Sequence, residues 1–391
     1  MEDYAAWLNG LRATGSHRSL RPLVHLEGGR VRPAGEPAGS EPLYDFSSND
    51  YLALTRHPKL LEYARACLLA HGSGAGAARL MSGDLEMHHR LEAAIARLKR
   101  QEAALLFGSG YLANVGIIPA LAGRGRFIYT DRLNHASIYD GCRLAEAKLV
   151  RFRHNDPGHL EEQLRRHGGG LIVVETVYSM DGDLAPLAEI IALKKRYGCL
   201  LMVDEAHATG IFGDNGGGLA SDPAVAADVD LAMGTFSKAL GSYGAYVAGS
   251  RTIIDALINR ARSFIFSTAL PPAVIGASQA ALEVMEEEPE LRLQLLGKCA
   301  LFQRTLTAAG LAVDSPSPIV PLIIGDNDTT LALADELRRR GVWATAVRPP
   351  TVPAGTARLR FTVTRHLADE LLADKARLIA ACVLGRRQRR Q

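Results

Sequence analysis

Asp230-Leu231-Ala232-Met233-Gly234-Thr235-Phe236-Ser237-Lys238-Ala239-Leu240-Gly241-Ser242-Tyr243-Gly244 decides how this chain is read. Its apolar opening, Leu231–Gly234, has the length of a buried strand, and glycines and hydroxyls make the remainder a loop. A lysine held just past such a strand loses charge through desolvation and becomes a nucleophilic amine. Thr235 and Ser237 set two hydroxyls beside it, as a phosphate would require. On this stretch alone a plain surface-loop lysine is the commoner reading. The rest of the chain must supply the partners that such an amine needs.

Outward from this stretch, similar apolar runs recur. Strands are expected at Ala104–Phe107, Phe127–Thr130, Leu149–Phe152, Leu171–Glu175, Leu200–Asp204, Leu231–Gly234 and Ala245–Ala248. Helical patterns separate most of them, most clearly Pro186–Tyr197. Continuous apolar strands alternating with helices imply an α/β fold whose largely parallel sheet is covered on both faces. Upstream lie a short amphipathic helix over Tyr4–Leu11, a Gly/Pro-rich linker Gly28–Pro42, and helices over Lys59–Leu69 and Asp84–Lys99. Beyond Pro272 the pattern changes. Helices at about 272–287, 290–309, 329–340 and 367–384 surround short strands Ile319–Ile324 and Arg358–Val363, a smaller α+β unit. The expected divisions are an N-terminal segment 1–47, a large domain 48–280 and a small C-terminal domain 281–391.

Length and composition bound the function. The 391 residues suit two domains, and 47% hydrophobic content suits a sizeable core. Net charge is +3, 45 basic against 42 acidic residues, too even for a nucleic-acid partner. Cys67, Cys142, Cys199, Cys299 and Cys382 are scattered, with no metal-ligand spacing, and read as free thiols in a reducing cytoplasm. Met1-Glu2-Asp3-Tyr4 lacks the basic start of a signal peptide. The uncharged stretches 103–123 and 263–282 are broken by Pro, Gly and polar residues, so neither is expected to span a membrane. The tail Arg386-Arg387-Gln388-Arg389-Arg390 reads as a solvated end.

Several strand ends carry chemistry. Gly108-Ser109-Gly110-Tyr111-Leu112-Ala113 satisfies G-x-G-x-x-A, with Asp131 ending the next strand. Such a loop brings backbone N–H groups to a phosphate at a helix N-terminus, whether of a nicotinamide cofactor or of another phosphorylated one. His135, just past a strand, could stack on a planar ring or simply cap a helix. Ser179 follows the strand ending at Glu175 and offers a hydroxyl. Asp204 ends a strongly apolar strand, where a carboxylate needs a cationic partner. That partner is either an arginine or a protonated pyridine nitrogen. His207 lies three residues further on.

Taken together, Val203-Asp204-Glu205-Ala206-His207 and Thr235-Phe236-Ser237-Lys238-Ala239-Leu240-Gly241 resemble the α-oxoamine synthases, a family of fold-type I pyridoxal phosphate enzymes. Ser47-Ser48-Asn49-Asp50-Tyr51-Leu52, Asn134-His135-Ala136-Ser137, Ser179-Met180-Asp181-Gly182-Asp183 and Ser267-Thr268-Ala269-Leu270-Pro271-Pro272 extend the likeness in the same order. Ala53 departs from it, since the family usually has Gly there, and so does Gly72–Ala77. The resemblance implies a fold-type I transferase, with a mostly parallel seven-stranded sheet between helices and a smaller α+β domain. It implies a homodimer with active sites at the subunit interface. Lys238 would carry the cofactor, Asp204 would pair its ring nitrogen and His135 would stack on it. Ser179 and His207 would sit near its phenolic oxygen. Gly110, Tyr111, Thr235 and Thr268 would serve the cleft and phosphate, with Thr268 reaching into the neighbouring subunit. Asn49 and Arg360 would take the amino-acid carboxylate, and Arg21, His135 and Thr351 would make the other substrate contacts.

Ala346–Arg360 is similar to the branch of that family that condenses L-alanine with a pimeloyl thioester, carried by coenzyme A or by a transiently bound acyl carrier protein. The implied chemistry is proton removal from Cα by Lys238, carbanion attack on the thioester with loss of thiol, and decarboxylation. Another member, such as a glycine C-acetyltransferase, is the nearest rival. A nicotinamide-dependent dehydrogenase built on Gly108–Ala113 and a non-catalytic subunit are more distant ones. Strand periodicity puts Arg358, Arg360 and Thr362 on one face, with the two arginines roughly 6–7 Å apart. One small carboxylate is therefore gripped mainly by one of them. Arg360 is expected to take that role and Arg358 a structural ion pair.

Overall fold

The computed structural model describes residues 3–388. Met1 and Glu2 of the opening and Arg389 and Arg390 of the basic tail lie outside the described residues. Contacts divide the chain into two compact units. One comprises residues 52–179 and 183–292, and the other residues 1–51, 180–182 and 293–391.

The first unit holds a seven-stranded sheet. Its strands, numbered here along the chain, are β1 Ala103–Phe107, β2 Phe127–Asp131, β3 Lys148–Phe152, β4 Leu171–Glu175, β5 Leu200–Asp204, β6 Leu231–Thr235 and β7 Ala245–Gly249. Each lies within a residue of its expected range. The spatial order is β1-β7-β6-β5-β4-β2-β3. β7 pairs antiparallel with both neighbours, and the remaining pairs are parallel. β1, β4, β6 and β7 are buried along their whole length, because helices cover both faces. One apolar layer includes Ile117, Ile138, Val173, Met233 and Val247, and the other includes Leu160, Val174, Ile190, Leu201 and Val203.

Helices Pro58–His71 and Pro272–Glu287 fall where expected, as does Leu187–Tyr197, stopped by Gly198 in the left-handed region. The helix expected from Asp84 begins instead at Glu86. The Asp84 carboxylate is engaged by Arg79 and by His89 at 2.8 Å. Ala53, where the resembling family carries Gly, has φ +62°, a conformation that glycine adopts freely and alanine does not.

In the second unit, Ile319–Gly325, Ala357–Thr362 and Thr345–Val347 form an antiparallel sheet in the order first, second, third. The stretch expected to be a Gly/Pro linker is partly a hairpin. Leu23–Leu26 pairs with Arg30–Pro33, and Gly28 and Gly29 take φ +70° and +66° in the turn. Arg30-Val31 pairs with Tyr44-Leu43, and Tyr44-Asp45 pairs parallel with Val342-Trp343, so the N-terminal segment and Val342-Trp343 form a second, four-stranded sheet in this unit. Phe46 and Phe302 stack in the unit's core, and Phe361 meets Phe46 edge-on and Phe302 at a tilt. The last helix runs from Asp369 to Gln388. The tail expected to be solvated therefore begins inside a helix, and Arg386 pairs there with Glu336 at 2.9 Å. Among the described residues no helix is long and apolar enough to cross a membrane.

Candidate active site

Parallel strands expose their C-terminal ends to a common crevice, where sheets of this kind bind ligands. Here β4 ends in Glu175, β5 in Asp204 and β6 in Thr235, with Glu175 and Asp204 in register. A cavity of about 260 Å³ opens above these ends. Gly110, Tyr111, His135, Ser179, Asp204, His207, Thr235 and Lys238 all line it. Residues spread over some 130 positions of sequence are thus gathered at one place.

The loop after β6 positions the amine. Thr235 Oγ1 donates to Gly244 O at 2.7 Å and accepts from Ser237 N at 3.2 Å, which curls the chain back on itself. At Gly241, with φ +61°, a side chain would meet the Leu54–Thr55 backbone at 2.6 Å. Only glycine lets the loop turn there. Lys238 Nζ, projected by this turn, lies 2.9 Å from His207 Nε2.

Asp204 is 5% exposed. Its carboxylate accepts from Ala206 N at 2.9 Å and from Asn114 Nδ2 at 3.0 Å. Next to it, Glu205 forms a fully buried pair with Lys99 at 2.7 Å. That pair fixes the turn leading to His207 from below. His135 is open to the cavity on its outer side. Burial by the surrounding protein, together with Lys238, pushes its pKa below the usual histidine value.

Glu175 received no role from the sequence, yet it lines the same cavity. It is buried, and its carboxylate accepts the backbone N–H groups of His135 and, at 3.1 Å, Ser179. Desolvation and then the neighbouring Asp204 push its pKa up to about 8. The signal that singled out Asp204, an acid closing a buried strand, was equally present here. Asn114 and Ser137 also line the cavity and were assigned nothing.

Asp131 is consumed structurally. It is fully buried and accepts from Leu133 N at 2.8 Å and Asn155 N at 2.9 Å, and it meets His154 at 3.0 Å. An acid fully buried and bonded in this way is closed off from a ribose, which removes the key element of the dinucleotide reading. The helix Gly110–Leu121, capped by Ser109, still offers an N-terminus suited to a phosphate. A Cβ at Gly110 would meet nothing within 4 Å. Amine, buried acid, hydroxyls and helix N-terminus form a donor set that fits pyridoxal phosphate.

The remaining candidates lie elsewhere. Thr268 is exposed and lines a separate, tighter cavity with Arg79 and His88. In the other unit, Arg360 is 7% exposed. It donates to Asn49 Oδ1 at 3.2 Å and to Thr362 Oγ1 at 2.8 Å. Arg358 pairs with Asp181 at 2.6 Å and also donates to Met180 O. Arg21 lies 3.7 Å from Asp335, and Thr351 accepts instead from Arg18 at 2.8 Å. Arg348 donates to the carbonyls of Gly15 and His17. Burial and the positive charges of Arg18 and Arg21 lower its pKa, so three guanidiniums crowd one region of this unit.

Comparison with known proteins agrees with this geometry. The family model for aminotransferase class I and II matches residues 41–374. The 8-amino-7-oxononanoate synthase of Geobacter sulfurreducens is 48% identical over 96% of each chain. Serine palmitoyltransferase from S. paucimobilis, solved with a bound PLP–myriocin aldimine, superposes with a TM-score of 0.90 at 29% identity, over 98% of this chain and 97% of that one. The 8-amino-7-oxononanoate synthase of Francisella tularensis gives a TM-score of 0.78 at 26% identity, covering 88% of this chain and 99% of that one. The chain belongs to the class I and II aminotransferase family and, within it, to the 8-amino-7-oxononanoate synthases.

Proposed function

We propose that this chain is a pyridoxal phosphate-dependent acyltransferase of biotin biosynthesis. It condenses L-alanine with a pimeloyl thioester to give 8-amino-7-oxononanoate, CO₂ and the free thiol. The observation that carries the reading is the convergence of the Lys238 amine, Asp204 and His207 on one cavity at the sheet's C-terminal edge. It occurs in a chain 48% identical to a named synthase.

When bound, pyridoxal phosphate supplies a carbonyl that condenses with amines and a ring that delocalises a carbanion. The chain's own residues do the rest. Asp204, fixed by Ala206 and Asn114, would hold the proton on the ring nitrogen. His135 would stack on the ring, and Ser179 and His207 would bond its phenolic oxygen. Gly110, Tyr111 and Thr235 would hold the phosphate at the helix N-terminus. Lys238 Nζ would anchor the cofactor and serve as the base for the alanine Cα proton. Arg360, presented by Asn49 and Thr362, binds the alanine carboxylate through a planar pair of donors. The crowded Arg18, Arg21 and Arg348 favour an anion beside Thr351, such as the free carboxylate of the pimeloyl chain.

In this reading the enzyme works as a homodimer in the cytoplasm, and the acyl carrier is coenzyme A or an acyl carrier protein. Thr268 lies outside the lysine cavity of its own chain, as expected of a residue that serves a second copy. Exposed Met81, Tyr111 and Phe266 of the same unit supply apolar surface for such a contact. The five cysteines are unpaired, as reduced thiols are. Borohydride reduction followed by peptide mapping tests the core of the proposal. The cofactor label is expected on Lys238, and a label on another lysine would overturn the assignment.

A further inference from the structure

The cavity contains a chain of hydrogen bonds of which the mechanism above uses only the link from Asn114 to Asp204. Asn114 is 1% exposed, one turn into the helix that opens at Gly110. Its Nδ2 donates to Asp204 Oδ2 at 3.0 Å and to Ser137 Oγ at 2.9 Å. Ser137, also 1% exposed, places its Oγ 2.8 Å from His135 Nδ1. The Ser137 backbone N–H approaches the same nitrogen at 3.3 Å. Asp204 and His135, which lie against different parts of the cofactor in the reading above, are thereby connected through two buried side chains.

The directions of these bonds are determined by chemistry. The Asn114 amide cannot be turned over, because its oxygen would then face the Asp204 carboxylate at hydrogen-bond distance. Its NH₂ therefore points to Asp204 and to Ser137. Ser137 Oγ, already accepting from Asn114, has its own proton left to donate. The backbone N–H of Ser137 is a donor as well. The backbone N–H can only donate to Nδ1, and a nitrogen that accepts carries no proton, so the Ser137 hydroxyl turns its own proton to the same nitrogen.

We infer that Asn114 and Ser137 are positioning residues that hold His135 as a neutral imidazole with its proton on Nε2 and couple that state to Asp204. The ring then presents Nε2–H as its donor, and no positive charge is placed beside Lys238. The other groups around the ring do not decide this. Asp204 and Asp140 favour protonation, whereas Lys238 and burial oppose it. Glu175 bonds the backbone N–H of His135, not the ring. The inference deepens the proposed reading of the cavity but concerns the protein without substrate.

Nitrogen-15 NMR of ring-labelled histidine in the cofactor-loaded enzyme tests it, with the His135 signals identified by their loss in His135→Gln. At neutral pH the wild type should show a pyridine-type Nδ1 and a pyrrole-type Nε2. Ser137→Ala should shift the tautomer ratio toward Nδ1–H by roughly tenfold, the equivalent of one hydrogen bond. It should also raise the ring's protonation midpoint. Ser137→Thr, which keeps the hydroxyl, should restore the wild-type pattern. Asn114→Ala should move the ring in the same direction as Ser137→Ala. A protonated Nδ1 in the wild type, or a Ser137→Ala ring identical to the wild type, would overturn the inference. The wild-type measurement does not depend on the folding of Ser137→Ala or Asn114→Ala. Borohydride labelling of Lys238 on the same sample reports separately on the proposed function, so either can fail without the other.

Discussion

Replacing Lys99 by Met removes one half of an ion pair that water cannot reach. Both Lys99 and Glu205 side chains are 0% exposed. Lys99 Nζ bonds Glu205 Oε2 at 2.7 Å, Thr209 Oγ1 at 2.9 Å and the Gly217 carbonyl. Burial alone would lower the lysine pKa, but Glu205 and Tyr246 outweigh it and raise it. Breaking a buried pair leaves an uncompensated charge and costs ~3–5 kcal/mol. The other oxygen of Glu205 keeps Ala220 N at 2.9 Å and Thr176 at 3.3 Å, and Met fills most of the vacated stem. The lower end, about 3 kcal/mol, is therefore expected. In a unit of this size each kcal/mol moves Tm by ~2–4 °C, so Tm should fall by roughly 6–12 °C. Adding Glu205→Gln removes the stranded charge and should recover ~1–3 kcal/mol of the loss. Urea denaturation of cofactor-free protein, followed by far-UV circular dichroism, measures both variants. Circular dichroism is preferred to tryptophan emission because Trp7 and Trp343 both belong to the other unit. A Lys99→Met variant within 1 kcal/mol of the wild type, or a double variant less stable than the single one, would show that no uncompensated buried charge is left behind.

Arg360→Lys should weaken L-alanine binding by ~1–3 kcal/mol, the range for a charged hydrogen bond, and Arg358→Lys should weaken it less. Alanine titrations followed in the visible spectrum compare the two. Ala53→Gly should stabilise the protein by ~0.5–1 kcal/mol by relieving φ +62°, visible as a higher urea midpoint. His154 lies between Asp131 at 3.0 Å and Asp183 at 2.7 Å. Burial lowers its pKa, but the two carboxylates prevail and raise it to about 10. A raised pKa means stability that is fully present below the unfolded value near pH 6.5 and lost as pH rises through about 10. The advantage of the wild type over His154→Gln should decline across that window, and an advantage that grows with pH would contradict the assignment.

Much of this was legible in the sequence because local pattern and burial coincide in the sheet. Apart from Lys148–Phe152, each strand is a short apolar run closed by glycine, acid or hydroxyl, and the chemistry sits where the run stops. Lys238 and Asp204 were recognisable for that reason. Glu175 carried the same mark and was passed over in favour of the nearby Ser179 hydroxyl. Asn114 had a weaker sign, a buried amide in an otherwise apolar helix that must find hydrogen-bond partners somewhere. Those partners, Ser137 and Asp204, are distant in sequence and could not be guessed. The pairing of Trp343 with Asp45 is equally non-local. The hairpin around Gly28-Gly29 was hidden because Gly and Pro mark a turn and a linker alike. Thr268 lines a different cavity of its own chain from the one around Lys238.

Steady-state kcat/KM should be measured for four pairings, L-alanine or glycine with pimeloyl-CoA or acetyl-CoA, with products identified by mass spectrometry. L-Alanine with pimeloyl-CoA should be fastest, releasing one CO₂ and one thiol for each 8-amino-7-oxononanoate. Because one methyl group discriminates by only ~1–3 kcal/mol, the acyl chain should matter more than the amino acid. Faster turnover of glycine with acetyl-CoA, or no 8-amino-7-oxononanoate from the alanine and pimeloyl pair, would contradict the account.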